Sequence, residues 1–299
     1  MLAVCVPIYN FDVRSLVKAL ENQLDSLKLP VVLILIDDAS DQSFKLLNEE
    51  VVKKHTYIEN TKNLGRSKIR NLFVTQTNQE YLLFLDCDAK IIADDFLKKY
   101  LAALKEKPSV VCGGRIYPEY PGRNQKLSWK YGVKRESKPV NERSRHPNDS
   151  FMTNNFVIKR TLLAQHPFEE KITSYGHEDT LLGIQLKKAG IGIQHIDNPI
   201  LNGDIETNVV FLEKTAQAVK NLVKIVSFSE DKEELYASIT LLKTYKKTHY
   251  FHWVLRPFLY LMFPLIKTIL KNGYANLFVF DLFKLSCLFK FIKKNNVLL

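Results

Sequence analysis

Apolar residues gather in short unbroken runs at positions 2–6, 31–36 and 81–85, each rich in Val, Ile or Leu and each followed by acidic or turn residues. Runs of that length without alternation predict strands buried on both faces. Between them apolar positions return at helical spacing, over roughly 13–27, 43–54 and 66–76, with another such segment at 94–106. Strand alternating with helix predicts a parallel open sheet. The pattern fails from Pro118 to Asp149, where Pro, Gly, Arg, Asn and Ser are frequent, and the expectation there is a long, partly mobile loop region of the kind that often carries function. A strand-like run returns at 151–158, followed by a loop ending in Tyr175-Gly176-His177-Glu178-Asp179, a helix to about Lys188 stopped by Gly190, and a short strand at 192–196. From Thr207 onward only helices are predicted. This change of pattern sets a main α/β domain over 1–205 and a C-terminal helical region over 206–299.

Composition adds a bias toward anions. The chain has 299 residues, 46% of them hydrophobic and 25% charged, enough to bury a full core. Its formal charge of +11 favours nucleic acid, phosphorylated small molecules or an anionic membrane face. Nucleic acid is set aside, because no recognition motif is present and acidic strand ends repel phosphate without a metal. Cys5, Cys87, Cys112 and Cys287 show no CxxC spacing, which predicts buried free thiols in a reducing compartment. The N-terminus has neither a basic region nor a cleavage site, so export is not expected.

The last fifty residues interleave Trp253, Phe258, Tyr260, Phe263 and Phe289 with Arg256, Lys267, Lys290, Lys293 and Lys294. The longest uncharged stretch, 257–266, falls short of a bilayer span. A basic, aromatic amphipathic tail suits the interface of an anionic membrane, with packing on the main domain or dimerisation as the alternatives.

The candidate chemistry sits at strand ends, where ligands of open α/β sheets collect. Tyr9-Asn10 follows the first strand, Asp37-Asp38 the second, and Asp86-Cys87-Asp88 the run 81–85. Residues two apart on an extended chain point the same way, so Asp86 and Asp88 can face one ligand. Two hard oxygen donors, with the oxygens of a diphosphate, suit Mg²⁺ or Mn²⁺. Arg66 and Arg70 lie four apart at a helix start, placed to approach ribose or phosphate.

Taken in order, Val6-Pro7-Ile8-Tyr9-Asn10, Ile36-Asp37-Asp38-Ala39-Ser40, Asn63-Leu64-Gly65 continuing to Arg70-Asn71, the Asp86-Cys87-Asp88 triplet and Glu178-Asp179 resemble the motifs of family 2 glycosyltransferases of the GT-A fold. The resemblance covers about residues 1–205. It implies an open mixed sheet flanked by helices, a nucleotide-sugar donor, a glycan or lipid-linked acceptor, and transfer with inversion. It further implies a nucleotide site of Pro7, Tyr9, Asp38, Arg70 and Asp86, with Tyr9 against the base and Asp38 accepting from it. Asp88, with Asp86, would hold the metal. Asp179 would be the catalytic base and Glu178 would position substrate. Gly114, Arg115, Asn154 and Asn155 fall where the family commonly makes donor and acceptor contacts. Many relatives carry a further metal-binding histidine after the last small strand. Here the matching position reads Asn202, with Asp204 or His195 as candidates for the third ligand. The implied setting is surface-polysaccharide synthesis at the inner face of the cell membrane.

Two other classes compete. A sugar-nucleotide pyrophosphorylase would share the sheet, acids and metal, but usually has a Gly-rich basic loop after the first strand, which Pro7-Ile8-Tyr9-Asn10 is not. A non-catalytic nucleotide-sugar-binding or membrane scaffold would account for the charge and the tail. The sequence leaves the sugar, the acceptor and the oligomeric state open.

Overall fold

The structure, a computed structural model, describes residues 1–27, 31–173 and 175–295. The side chains of 27 and 293–295 fall outside the description, and with them Lys293 and Lys294 of the basic tail. Ten strands are described: β1 (Leu2–Ile8), β2 (Val32–Asp37), β3 (Thr56–Glu59), β4 (Tyr81–Leu85), β5 (Ala89–Lys90), β6 (Val110–Cys112), β7 (Arg115–Ile116), β8 (Asn155–Lys159), β9 (Gln194–His195) and β10 (Ile200–Asn202). The helices of the first two thirds are α1 (Arg14–Leu27), α2 (Gln42–Val52), α3 (Arg66–Leu72), α4 (Phe96–Ala103), α5 (Lys126–Tyr131), α6 (Val140–Arg143), α7 (Arg160–Gln165) and α8 (Glu178–Lys188). The last third holds α9 (Asn208–Phe228), α10 (Lys232–Ser238), α11 (Thr240–Lys247), α12 (His252–Lys271) and α13 (Leu277–Asn295).

The chain divides into two compact units. The first comprises Met1–Pro118, Glu136–Thr173 and Leu181–Asp204. Its seven-stranded sheet runs in the order β3-β2-β1-β4-β8-β6-β9. All neighbours pair in parallel except β8, which is antiparallel to both β4 and β6. The antiparallel β8 makes the sheet mixed, as the family resemblance implies, for a topological reason: after β6 the chain makes its excursion at the carboxyl edge and re-enters there. Side chains alternate along β1 and β4. Val4, Val6, Leu83 and Leu85 join Leu16, Leu20, Phe96 and Tyr100 on one face. Ala3, Cys5, Leu82 and Phe84 join Phe73, Phe156 and Phe168 on the other. Strands β2 and β3 extend from one side of β1 and β4 lies on its other side. That reversal opens a crevice at the carboxyl ends of β1 and β4.

The stretch expected to be a loop from 118 to 149 is instead largely helical, with α5, a π-helical turn at Gly132–Glu136, and α6. Each is too short to show periodicity in sequence, and each of the two helices is fixed by burial of one residue, Leu127 in α5 and Arg143 in α6. A small second sheet, β5-β10-β7, lies beyond β4.

The second unit comprises Glu119–Arg135, Ser174–Thr180 and Ile205–Leu299. Within it α9 packs on α5, α12 and α13. Phe211 stacks on Phe280, and Tyr131 meets both rings. One stretch among the described residues, His249–Lys271, is long and apolar enough by length and composition to cross a membrane. The uninterrupted run of 257–266 understated it, because a helix of this length can carry Arg256 and Lys267 toward its ends. All four cysteines are free, with Cys5, Cys112 and Cys287 buried and Cys87 partly so.

Candidate active site

The crevice is shaped first by two tight turns. Asn10 and Ala39 both adopt left-handed backbone, with φ of 48° and 62°. The turns are stitched together, Asn10 N–H donating to Ser40 Oγ at 2.9 Å and Asp41 N–H to Asn10 Oδ1 at 2.8 Å. Tyr9, one residue past β1, is thereby left 52% exposed at the carboxyl end of the sheet. Pro7 lies within β1 opposite Ile36, one pair short of the strand end.

Asp38 is buried and heavily engaged. Its Oδ1 accepts from Asn60 Nδ2 (3.0 Å) and Leu64 N–H (2.8 Å), and its Oδ2 from Gly65 N–H (2.9 Å). Of roughly four acceptor positions on a carboxylate, three are therefore spent on the protein. Asp38 fastens the Asn63-Leu64-Gly65 segment and the start of α3 to the end of β2. Gly65, which precedes α3, needs a φ of 82° that suits glycine. Asp37 Oδ1 accepts from Ser40 N–H at 2.7 Å and holds the β2 turn from inside.

Arg70 on α3 is almost fully buried, and its Nη2 donates to Asp86 Oδ1 at 2.6 Å. Its guanidinium lies 5.7 Å from the Phe168 ring centre. Arg70 is expected to approach ribose or phosphate; in the structure its Nη2 is turned to Asp86 and its Nη1 donates to Arg66 O at 3.3 Å. Asp86 is held from the backbone too, its N–H donating to Asn154 O at 3.2 Å.

Asp88 is electrostatically distinct from Asp86. Burial, then the Asp86 charge, pushes its carboxyl up to about 6, with Arg115 and Arg66 pulling the other way. Between the two acids, burial first and then Asp88 and Asp86 push the Cys87 thiol up to about 12, so it stays a thiol.

Arg115 on β7 is the cation facing this pair. It donates from Nη1 to Tyr117 Oη and Glu136 Oε2, each at 2.9 Å. With the Asn154 amide oxygen turned toward it, Nε and Nη2 donate at 3.0 and 3.2 Å. Burial disfavours its charge, but Glu136, Tyr117 and Asp86 outweigh that and keep the guanidinium protonated. Tyr117 also donates a short hydrogen bond to Glu136. Arg115 and Asn154 are therefore brought together beside the acids, whereas Asn155 is not open to a ligand. It is fully buried, donating to Gly114 O (2.8 Å) and Asn198 O (2.9 Å) and accepting from Tyr100 Oη (2.6 Å).

Gly114, at φ 86°, lies against the Arg143 guanidinium, which a Cβ would strike at 2.8 Å. Arg143 was not singled out by sequence, since nothing in an irregular stretch marks it. It is buried without a carboxylate partner among the described residues, and its guanidinium donates to the carbonyls of Lys138, Cys112, Gly113 and Ile196 and, as a fifth partner, to His195 Nδ1 at 2.8 Å. Glu136 and Tyr117 were missed for the same reason.

The Arg143 contact decides His195. Nδ1 accepts from Arg143, so Nε2 carries the proton and donates to Pro147 O at 2.9 Å. Burial lowers its pKa, keeping it neutral. Neither nitrogen is left for a metal, and His195 drops out of the candidate ligands. Asn202 pairs with Ala89 across β10 and β5, one residue from Asp88, and Asp204 follows two residues later. Among the described residues no group of three His, Cys, Asp or Glu side chains is disposed to hold a metal. A pair of carboxylates is still a fitting donor set for Mg²⁺ or Mn²⁺ when phosphates and water complete the shell.

Glu178 and Asp179 form the first turn of α8 and group with the second unit. Glu178 is buried, and Asp179 Oδ1 accepts from Thr180 N–H at 2.7 Å. The preceding His177 has φ 73°. Burial lowers its pKa to about 4, with Lys284 acting the same way and Glu178 opposing.

The fold is shared with known proteins. The structure resembles the mannosyltransferase PcManGT of Pyrobaculum calidifontis, solved with GDP-Man and Mn²⁺, at 15% identity and a TM-score of 0.54, over 99% of this chain and 74% of that one. It also resembles glucosyl-3-phosphoglycerate synthase of Mycobacterium tuberculosis, solved with Mn²⁺, UDP and glucosyl-3-phosphoglycerate, at 15% identity and a TM-score of 0.52, over 77% and 81% of the two chains. At such identities the likeness establishes the fold. Among curated proteins no relative matches. Residues 3–166, more than half of the chain and including β1, β2, the Asp86-Cys87-Asp88 turn and β8, match the family described as Glycosyl transferase family 2, and the chain belongs to that family.

Proposed function

We propose that this family 2 glycosyltransferase transfers a sugar from a nucleoside diphosphate donor, UDP favoured, to a hydroxyl of a glycan or lipid-linked acceptor, with inversion at the anomeric carbon. The observation that carries the reading is the placement of Asp86 and Asp88 at the sheet's switch point, faced by Arg115. Tyr9, half exposed past β1, offers its ring to the base. Asp38 shapes the nucleotide site chiefly through the backbone it holds, with its fourth acceptor position available to the base. Arg70, paired with Asp86 at 2.6 Å, orients that carboxylate toward ribose or metal. Asp88, with Asp86, would hold Mn²⁺ or Mg²⁺; Asn202, which pairs with Ala89, and Asp204 are the candidates for a third ligand. When bound, the metal supplies charge stabilisation for the departing diphosphate.

Asp179 takes the proton from the acceptor hydroxyl as the acceptor oxygen bonds to the anomeric carbon. The bond from that carbon to the phosphate oxygen breaks, and the nucleoside diphosphate leaves with the electron pair. A carboxylate in the first turn of a helix tends to stay ionised, which suits a base. Glu178 positions substrate, and Arg115, braced by Glu136 and Asn154, favours negative charge on the diphosphate. The setting we assign is surface-polysaccharide synthesis at the cytoplasmic face of an anionic membrane.

The test is a panel of UDP-, GDP- and dTDP-sugars with and without Mn²⁺, with product configuration read by NMR. Release of nucleoside diphosphate, abolished by Asp88→Ala and lowered at least ~10³-fold by Asp179→Asn, is the expected result. Release of pyrophosphate would make the protein a pyrophosphorylase, and inertness with every donor would make it a binding protein.

A further inference from the structure

Helix α12 sorts its surface sharply. Leu259, Ile266 and Leu270 are buried within the second unit, while Trp253 (79%), Phe258 (53%), Tyr260 (82%), Leu261 (72%) and Leu265 (54%) are open to solvent. Trp253, Leu261 and Leu265 share one four-residue register, and with Phe258 and Tyr260 beside them they form a stripe that covers the side of the helix opposite Leu259, Ile266 and Leu270. Arg256 and Lys267 border that stripe on the side nearest α13. There a groove of about 670 Å³ opens between α12 and α13, floored by Leu259, Phe263 and Phe289 and flanked by Arg256 and Lys290. Lys290 Nζ sits 5.8 Å from the Phe263 ring centre. Among the described residues no carboxylate pairs with Arg256 or Lys290. From His249 to the last residue the sequence carries seven basic side chains and a single acid, Asp281, which is itself paired with Lys284 and Arg135.

We propose that α12 lies in the plane of an anionic membrane with its Trp253–Leu261–Leu265 stripe in the interface, and that the α12–α13 groove seats one lipid, its phosphate between Arg256 and Lys290 and an acyl chain over Phe263 and Phe289. Aromatic residues bordered by cations match the boundary between headgroups and acyl chains. The groove is apolar along its floor and cationic at its flanks, which is the complement of a phospholipid. The length of the helix would also allow a span, but its packing opposes one. The buried side of α12 rests chiefly on α13 and also on α9, and both carry charges unsuited to hydrocarbon, among them Asp281 and Lys284 on α13 and Glu213 and Lys220 on α9. Both ends of α12 are tied to other elements of the unit: His252 Nε2 pairs with Tyr245 O at 3.0 Å, and Arg123 Nε donates to Asn272 O at 2.8 Å. The inference rests on the membrane-surface part of the proposed function and leaves its chemistry untouched.

The experiment is flotation of the full-length protein with vesicles of phosphatidylcholine alone or with one third phosphatidylglycerol. The expected result is partition into the anionic vesicles that weakens with salt. Trp253→Ala/Leu261→Ala should lower partition into both vesicle types at least tenfold. Arg256→Gln/Lys290→Gln should lower partition into anionic vesicles about 25-fold, at roughly fivefold for each cation lost, and leave the weak partition into neutral vesicles unchanged. Millimolar inorganic phosphate should not compete, since the acyl chain supplies part of the binding. UDP binding, followed in every variant, reports folding and the donor site separately from the membrane result. Equal partition of wild type and Arg256→Gln/Lys290→Gln into anionic vesicles, or full competition by inorganic phosphate, would overturn the lipid groove. Absence of flotation, a stable dimer that buries the stripe, or carbonate-resistant insertion with Trp253 quenched by deep bromolipids would overturn the in-plane seat.

Discussion

Asp86 and Asp88 are two residues apart and chemically unlike. Arg70 neutralises Asp86 directly, whereas Asp88 is left with burial and a like charge that raise its carboxyl to about 6 from an ordinary 3.8. The sign of the consequence follows from linkage. A carboxyl with a raised folded pKa binds its proton more tightly in the native state, so it favours folding at low pH and loses that contribution as pH rises through the folded value. In the metal-free protein, Asp88→Asn should therefore raise stability at pH 8 by up to about 3 kcal/mol. The gain should vanish near pH 4, where the wild-type carboxyl is protonated in the native state. Thermal unfolding of both proteins from pH 4 to 8 checks this. Mn²⁺ should narrow the gap at pH 8 by stabilising wild type alone, and its affinity for wild type should fall as pH drops below about 6. Arg70 and Arg115 differ in the same way. One is consumed by an internal pair, and the other is steadied by neutral and acidic partners so that its charge faces the site.

Among the elements, the β6–β7 corner is the tightest piece of the crevice. A Cβ on Gly113 would come within 2.4–2.5 Å of Tyr100 Oη, Asn155 Nδ2 and Asn198 O, all of them held by buried hydrogen bonds. Gly113→Ala should cost about 2–4 kcal/mol through forced displacement of that network, read as a fall in the denaturation midpoint. Asp38→Ala should act on a different element. It leaves the N–H groups of Leu64 and Gly65 unanswered, and about 3 kcal/mol of stability should be lost together with protection of the first turn of α3 in hydrogen exchange. If Asp38→Ala weakens donor binding with no loss of stability, Asp38 serves the base and not the chain. The same residues mark what sequence could and could not reveal. The Asp38 and Asp86 turns were visible because acids at the end of a buried strand are costly unless a turn or a ligand uses them. Helix α8 was visible to its last residue, Lys188, although Glu178-Asp179, its first turn, read as the end of the preceding loop. What stayed hidden depends on contacts distant in sequence: His195 read as a possible ligand until Arg143, more than fifty residues earlier, was seen to take its Nδ1, and α5 and α6 were too short to declare themselves.

For the whole molecule, the change to helices near Thr207 falls beside the passage from the first unit to the second at Asp204 and Ile205, but the second unit also takes in Glu119–Arg135 and Ser174–Thr180. The second unit is drawn from three separate stretches of chain, and Asn208 binds two of its segments together. Its Oδ1 accepts from Leu127 N–H at 2.9 Å, while its Nδ2 donates to Arg123 O at 2.9 Å and to Lys271 O at 3.2 Å. Tyr131 packs against Phe211 and Phe280, and Asn221 donates to Gly176 O at 2.8 Å. A fragment of residues 1–205 keeps Leu127, Tyr131 and Gly176 but removes α9 and α13, which pack on α5, and Asn221, which binds Gly176. We expect that fragment to aggregate or to bind ANS without a cooperative melt, as exposed apolar surface requires. A soluble monomer with native near-UV dichroism and intact UDP binding would refute the expectation and make 1–205 a self-sufficient domain. Asn208→Ala in the full chain is the milder form of the same test. It strands one buried N–H and two carbonyls, and the expected cost of about 2–4 kcal/mol should appear with loss of Trp129 fluorescence change at the same midpoint as the global transition, because the 119–135 insertion and α9 stand or fall together.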